Sequence, residues 1–107
     1  MNPLVHQIAR EYKSDLQKLY GSEFNSLILF GSYARGDYHE ESDIDFALIL
    51  NKESVRGAEE IFRTSKLRTA LELKYGVAIS ILSASKSKLE RSLQGVYQSI
   101  RKEGMVI

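Results

Sequence analysis

The stretch "LFGSYARGDYHEESDIDF", residues 29–46, limits what this chain can fold into more than any other segment. It joins two short apolar runs, Ser26-Leu27-Ile28-Leu29-Phe30 and Phe46-Ala47-Leu48-Ile49-Leu50. Runs of this length bounded by turn residues are the signature of buried strands. The first run stops at Gly31-Ser32, and the second is headed by Asp43-Ile44-Asp45. Charged residues at the head of a buried strand cost free energy unless something compensates them. The compensating partner is where function is to be sought.

Helical patterns surround this pair of strands. Asn2 and Pro3 suit the cap and first turn of a helix, and Leu4, Val5, Ile8, Tyr12, Leu16 and Leu19 recur at helical spacing until Gly21. The connection 32–42 is polar, with a helical turn expected near Tyr33-Ala34-Arg35. The second strand is expected over about 43–50. A helix is expected over about 58–75, where Ala58, Ile61, Phe62 and Ser65 share one face and Leu67, Ala70 and Leu71 the opposite one. That split suggests a kink near Lys66 or a second face kept for a partner. Gly76 ends the pattern. A third strand is expected over 77–82 and a last helix over about 85–102, carrying Leu89, Leu93, Tyr97 and Ile100. The order helix, strand, strand, helix, strand, helix predicts an α/β (α+β) fold, a small mixed β-sheet with helices packed against it.

The 107 residues make one domain of 1–107, able to bury roughly 60–70% of its unfolded surface. Apolar residues at 43% and charged residues at 27% fit an ordinary globular protein. A net charge of +1 provides no global field for nucleic acid or an anionic membrane. The lack of cysteine excludes disulfides, thiolate nucleophiles and thiolate metal sites. No run of about 18 apolar residues occurs, and Met1-Asn2-Pro3 opens no signal-peptide pattern. A cytoplasmic location is the expectation.

Alternation along a strand projects Asp43 and Asp45 from one face, about 7 Å apart, and turns Ile44, Phe46, Leu48 and Leu50 to the other. Two converging carboxylates raise one another's pKa unless a cation lies between them. An oxygen-only pair suits Mg²⁺ or Mn²⁺, which share coordination with phosphate oxygens. Gly31 lets the backbone approach a bulky ligand. A helical turn beginning at Ser32 offers free amides and a hydroxyl to an anion. Either signal alone is weak, since Gly-Ser is usually a turn and Asp-x-Asp usually solvated. Together, and joined to apolar strands, they are the parts that phosphoryl or nucleotidyl transfer requires.

Gly31-Ser32, ten residues, then Asp43-Ile44-Asp45 resembles the signature of the DNA polymerase β-type nucleotidyltransferase superfamily. The fuller Gly31-Ser32-Tyr33-Ala34-Arg35-Gly36 with Ser42-Asp43-Ile44-Asp45 is similar to its minimal nucleotidyltransferase branch, small stand-alone prokaryotic domains that include antitoxins. The closing "YQSIRKEGMVI" is similar to the end of those domains, so the likeness spans essentially the whole chain. The resemblance implies a nucleotidyltransferase fold and a site for Mg²⁺ (or Mn²⁺) with ATP or another nucleoside triphosphate. It further implies transfer of a nucleoside monophosphate to a hydroxyl, with pyrophosphate leaving. Asp43 and Asp45 would be the catalytic metal ligands, and Gly31, Ser32, Arg35 and Ser42 the nucleotide-binding set. The partner implied is a helical HEPN-domain toxin, neutralised in some relatives by adenylylation of a tyrosine.

The sequence departs from that family at one point. A third carboxylate is expected on the next core strand, yet Ser80 stands between Ile79 and Ile81. A serine hydroxyl is a poor metal ligand and no general base near pH 7. Nucleotide binding is therefore expected to survive better than fast transfer, with Glu72, a partner or metal-bound hydroxide as sources of the missing group. Two function classes follow: an adenylyltransferase acting on its partner, or a degenerate binding module that caps the partner sterically. Transfer to a small molecule is a weaker third, since no extra domain encloses an acceptor. Nothing is available to hold a DNA template, and a homo-oligomer is compatible with the sequence. His39, among Asp37, Glu40 and Glu41, reads as a solvated loop residue before a metal or acid–base group. Arg56, Arg63, Lys66 and Arg68 read as a solvated face before a triphosphate clamp. Tyr33 and Tyr38 flank the phosphate loop and are candidates to touch a base or be modified. His6 is expected at the surface, and Tyr12, Tyr20, Tyr75 and Tyr97 in packing.

Overall fold

In the computed structural model, which describes residues 2–107, Asn2 Oδ1 accepts hydrogen bonds from the Leu4 and Val5 amides at 2.9 and 3.3 Å. This cap opens helix α1, Pro3–Tyr20, and Gly21 at φ 57° closes it. Its buried stripe is Val5, Ile8, Ala9, Tyr12, Leu16 and Tyr20. Leu4 and Leu19, read from periodicity as part of that stripe, are more than 40% exposed.

After a short 3₁₀ turn at Gly21–Glu23 come β1 (Phe24–Phe30), the single-turn α2 (Ser32–Arg35) and β2 (Ile44–Leu50). These are followed by α3 (Gly57–Tyr75), β3 (Ile79–Ser85), α4 (Lys86–Arg91), α5 (Gly95–Glu103) and β4 (Met105–Val106). The sheet runs β3-β2-β1-β4, with β2 and β3 parallel and the other two pairings antiparallel. The mixed α/β class expected from the pattern is thus observed.

The sheet has two unequal faces. On one, Leu27, Leu29, Ile44, Phe46, Leu48, Leu50, Ile79 and Ile81 pack with α1 and Leu71 of α3. Tyr12 meets Phe46 edge-on there, with ring centroids 5.6 Å apart. Each fully buried side chain of this size contributes about 1.5–3 kcal/mol, so this layer dominates the fold. On the other face, Ile28, Ala47, Ile49 and Ala84 pack with Tyr97 and Ile100 of α5. Strand alternation gives Asp45 to this second, thinner face.

Several boundaries differ from expectation. Strand β1 begins two residues early, at Phe24, with a register shift between Phe24 and Ser26. Strand β3 starts at Ile79 rather than Val77, because Gly76 turns left-handed (φ 66°) and Glu72 Oε2 accepts the Ile79 amide at 2.9 Å. The expected last helix is two helices. Ser85 belongs to β3 and caps α4 by accepting the Lys88 amide at 3.0 Å. Ser92 and Gln94 are extended, and Leu93 between them is 83% exposed. Strand β4 was not expected; it lies against β1 with Ile28 opposite Val106.

Helix α3 is one continuous helix through Lys66. It buries Glu60, Thr64 and Leu71 and turns Phe62 outward, 82% exposed. Apolar periodicity misread this helix because its buried side is partly polar. The Tyr20 hydroxyl donates to Glu60 Oε1 at 2.5 Å, and Lys52 Nζ and Arg63 lie 3.4 and 3.5 Å from the same carboxylate. A buried charge persists only when paired in this way. Burial and the neighbouring Glu60 carboxylate push the Tyr20 phenol well above its ordinary pKa. Among the described residues no helix is long and apolar enough to cross a membrane.

Candidate active site

The β1–β2 register places Phe30 opposite Asp45, so the chain leaving β1 passes directly over that carboxylate. Gly31 makes this pass at φ 73°, a left-handed value. A Cβ on Gly31 would lie 3.2 Å from Asp45 Cγ and collide with Oδ2. Glycine is required there by both conformation and contact. Replacing it tests the contact. Gly31→Ala is expected to cost about 2 kcal/mol in urea denaturation, from left-handed strain of about 1–2 kcal/mol plus displacement of the carboxylate.

Beyond Gly31 the backbone closes one helical turn. The Ala34 and Arg35 amides both donate to the Gly31 carbonyl, at 3.1 and 3.0 Å. The Ser32 and Tyr33 amides ahead of them are first-turn donors, which a helix leaves without an intrahelical acceptor. Gly36 (φ 86°) then redirects the chain into the loop. Within that loop the His39 amide donates to Ser42 Oγ at 2.9 Å, and the Ser42 amide to the His39 carbonyl at 3.0 Å. This reciprocal turn delivers Asp43 to the head of β2.

Gly31, Ser32, Arg35, Ser42, Asp43 and Asp45 all line one open cleft of about 480 Å³. The six residues singled out from sequence therefore share one space. His39 and Glu41 also line it. His39 is exposed in its loop, as expected, and it reaches the cleft together with Glu41 through the His39–Ser42 turn, which no motif announces.

The electrostatics match the crowding. The Asp45 carboxyl is held above its usual range, first by burial and then by the charge of Asp43, with Arg35 opposing both. Arg35 is anchored by Asp37 at 3.1 Å and Glu103 at 3.4 Å. A pair of oxygen donors, one partly desolvated and both short of positive charge, fits a hard divalent cation. Among the described residues no cluster of three or more His, Asp or Glu side chains gathers to hold a metal.

Ser80 lies where its register predicts. It pairs with Asp45 across the parallel β2–β3 ladder, so the two share a face about 4.8 Å apart in the backbone. Ser80 is solvent-exposed. Glu72, considered as a substitute acid, is occupied at the Ile79 amide and does not line the cleft. Arg56, Arg63, Lys66 and Arg68 do not line it either; Arg56 immediately precedes α3 and the other three lie on that helix, which packs on the opposite face. Arg63 approaches Glu60, and Arg68 donates to Thr64 Oγ1 at 3.1 Å. Tyr33 and Tyr38 stack on each other, centroids 4.3 Å apart, outside the cleft.

Residues 9–107 match the sequence profile of the nucleotidyltransferase domain. The chain belongs to this family. Two relatives of this nucleotidyltransferase come from Methanocaldococcus jannaschii. "Putative protein adenylyltransferase MJ0141" is 42% identical over 71% of this chain and 75% of its own length. "Putative protein adenylyltransferase MJ0604" is 34% identical over 92% of each. Among solved structures, a chain of a toxin–antitoxin complex crystallised with AMP-PNP superposes with a TM-score of 0.59 at 21% identity, covering 89% of this chain and 68% of that one. A chain from the complex of a tri-AMPylated Shewanella oneidensis HEPN toxin with its MNT antitoxin gives 0.50 at 18% identity, covering 92% and 70%. These two likenesses concern the fold.

Proposed function

We propose that this nucleotidyltransferase is a protein adenylyltransferase that moves AMP from ATP to a hydroxyl of a helical HEPN-type toxin, acting as its antitoxin. The observation that carries the reading is the convergence of Gly31-Ser32 with Asp43 and Asp45 in one cleft. Two adenylyltransferase-named relatives above 30% identity support the AMP donor. The fold shared with antitoxin complexes, one of them with an AMPylated toxin, supports the acceptor.

Each residue has a defined task. Ser32 Oγ and the first-turn amides of α2 hold the terminal phosphates. Arg35 faces the cleft and offsets phosphate charge, since only some of its five N–H donors are taken by Asp37 and Glu103. Asp43 and Asp45 would hold Mg²⁺ or Mn²⁺, which when bound supplies charge neutralisation at the α-phosphate and leaving pyrophosphate. Gly31 keeps the backbone against Asp45 and fixes that carboxylate's direction. The acceptor hydroxyl comes from outside the chain, because the cleft that the described residues form is open.

The decisive experiment is transfer of label from α-labelled ATP to a co-expressed helical partner in the presence of Mg²⁺. One labelled adduct on the partner, absent with γ-labelled ATP, is the expected result. No label on a partner that this chain demonstrably neutralises removes the catalytic claim.

A second reading has one observation behind it. Ser80 occupies the position beside Asp45 at which a third acid would complete the site. In that reading the domain neutralises its partner by binding alone.

A further inference from the structure

The closing segment 97–107 is not used by the chemistry described so far, although it contributes a contact to the cleft. Glu103, the last residue of α5, places Oε1 3.4 Å from Arg35 Nη1, across 68 residues of sequence. Arg35 Nε is held from the other side by Asp37 Oδ2 at 3.1 Å. We infer that Glu103 is a positioning residue for Arg35: it fixes the guanidinium at the rim of the cleft and so sets the cleft's affinity for a nucleoside polyphosphate. This inference rests on the nucleotide-binding reading above.

Three features make the contact a built one. Gly104 follows Glu103 immediately, and a Cβ there would lie 2.7 Å from Ile28 Cγ2 and strike the Ile100 carbonyl. The chain after Glu103 is thereby pressed onto β1, and the β4 pairing of Met105 with Leu29 holds it. Glu103 is also the more enclosed partner, its side chain 29% exposed against 43% for Arg35 and 61% for Asp37. Finally, Arg35 sits on the single turn whose other end, Ser32, lines the same cleft. Fixing the guanidinium fixes both ends of the phosphate-binding turn.

The alternative is that Glu103 merely competes with phosphate for Arg35. The two roles predict opposite signs. Glu103→Gln removes a negative charge near an anion site, which by Coulomb attraction alone tightens polyphosphate binding at distances within the screening length of about 8 Å. A positioning role predicts weakening despite that gain, because the guanidinium, left with the more exposed Asp37 as its one acidic anchor, loses part of its fixed direction and must be ordered at each binding event.

The test is isothermal titration of Mg-ATP into wild type, Glu103→Gln, Glu103→Asp, Arg35→Gln and the Arg35→Gln/Glu103→Gln pair, each first shown to melt cooperatively. Glu103→Gln is expected to raise Kd about 5-fold, Glu103→Asp to recover part of the loss, and the pair to bind no worse than Arg35→Gln alone. Equal or tighter binding by Glu103→Gln overturns the positioning role, and so does an additive loss in the pair. A wild-type chain that takes up no Mg-ATP overturns the nucleotide reading itself. The wild-type titration thus separates the two failures.

Discussion

Asp43→Asn combined with Asp45→Asn is expected to lower AMP transfer by at least about 10³-fold and to leave a chain slightly more stable than wild type. On the proposed function, the loss follows from removing both carboxylates that would hold a divalent cation where charge develops on the α-phosphate. The gain follows from the site's electrostatics. Burial and Asp43 hold the Asp45 carboxyl above its unfolded value of 3.8, so the folded state binds that proton more tightly than the unfolded state. Stability from this group is complete below the unfolded pKa and declines as pH rises through the raised folded one. Asparagine carries no such penalty. The melting temperature of the variant is therefore expected to exceed wild type by about 2 °C at pH 7 without divalent cation, and to match it below about pH 3. The gain is small because Asp45 is only partly buried. Transfer within tenfold of wild type would show that the acids are not the machinery. A melting temperature below wild type at pH 7 would show that the carboxylates have a stabilising partner in the free protein.

The same variant separates catalysis from capping. If AMP transfer is how the partner is silenced, the inactive variant, still folded and still able to dock, fails to protect cells that express the toxin. Protection equal to wild type supports neutralisation by binding alone. A melting temperature at or above wild type, the result expected for this variant, excludes unfolding as the cause of lost protection.

The parts of this fold legible in the sequence are those where local chemistry and tertiary demand agree. Asn2-Pro3 and Gly21 bound α1, and Gly31 and Gly76 mark the ends of β1 and α3, because each requires a cap or a left-handed turn that few residues supply. Asp45 was legible because alternation along β2 is rigid; Asp43, expected within that strand, stands one residue before it, and the structure brings both into the cleft. Helix α3 was not legible. Its buried side contains Glu60, which the Tyr20 hydroxyl and two cations make tolerable, and apolar periodicity cannot anticipate a long-range polar network. The break between α4 and α5 also escaped, since Leu93 fits a helical stripe and yet points to solvent. Strand β4 is two residues long, too short for any period to register, and exists because Gly104 allows the chain to close on β1. The Arg35–Glu103 contact depends on that closure, so no local pattern could have placed Glu103 beside Arg35.

Ser80→Asp is expected to raise the transfer rate by about 10²-fold and to make stability depend on divalent cation. The β2–β3 register sets position 80 directly beside Asp45 on the same face, and its exposure means that a longer side chain meets no packed neighbour. An aspartate there can take the proton of an incoming hydroxyl, a contribution worth about 10²–10⁴-fold where geometry permits. It also brings a third negative charge to a pair already in conflict. Without cation, the new carboxylate raises the Asp45 pKa further, so the variant is expected to melt below wild type at pH 7 and recover at acid pH. With millimolar Mg²⁺ the order is expected to reverse, because a ligand that binds only the folded state stabilises it by mass action. A rate unchanged within twofold, with the Mg²⁺-dependent stabilisation present, would place the deprotonating group elsewhere, on the partner or its hydroxyl's own surroundings. A variant with neither rate gain nor Mg²⁺ response would mean that Asp43 and Asp45 do not bind the cation as a pair, and the reading of the cleft built on them would fall. An acid placed at position 80 thus measures how much of the proposed reaction Asp43 and Asp45 perform without one.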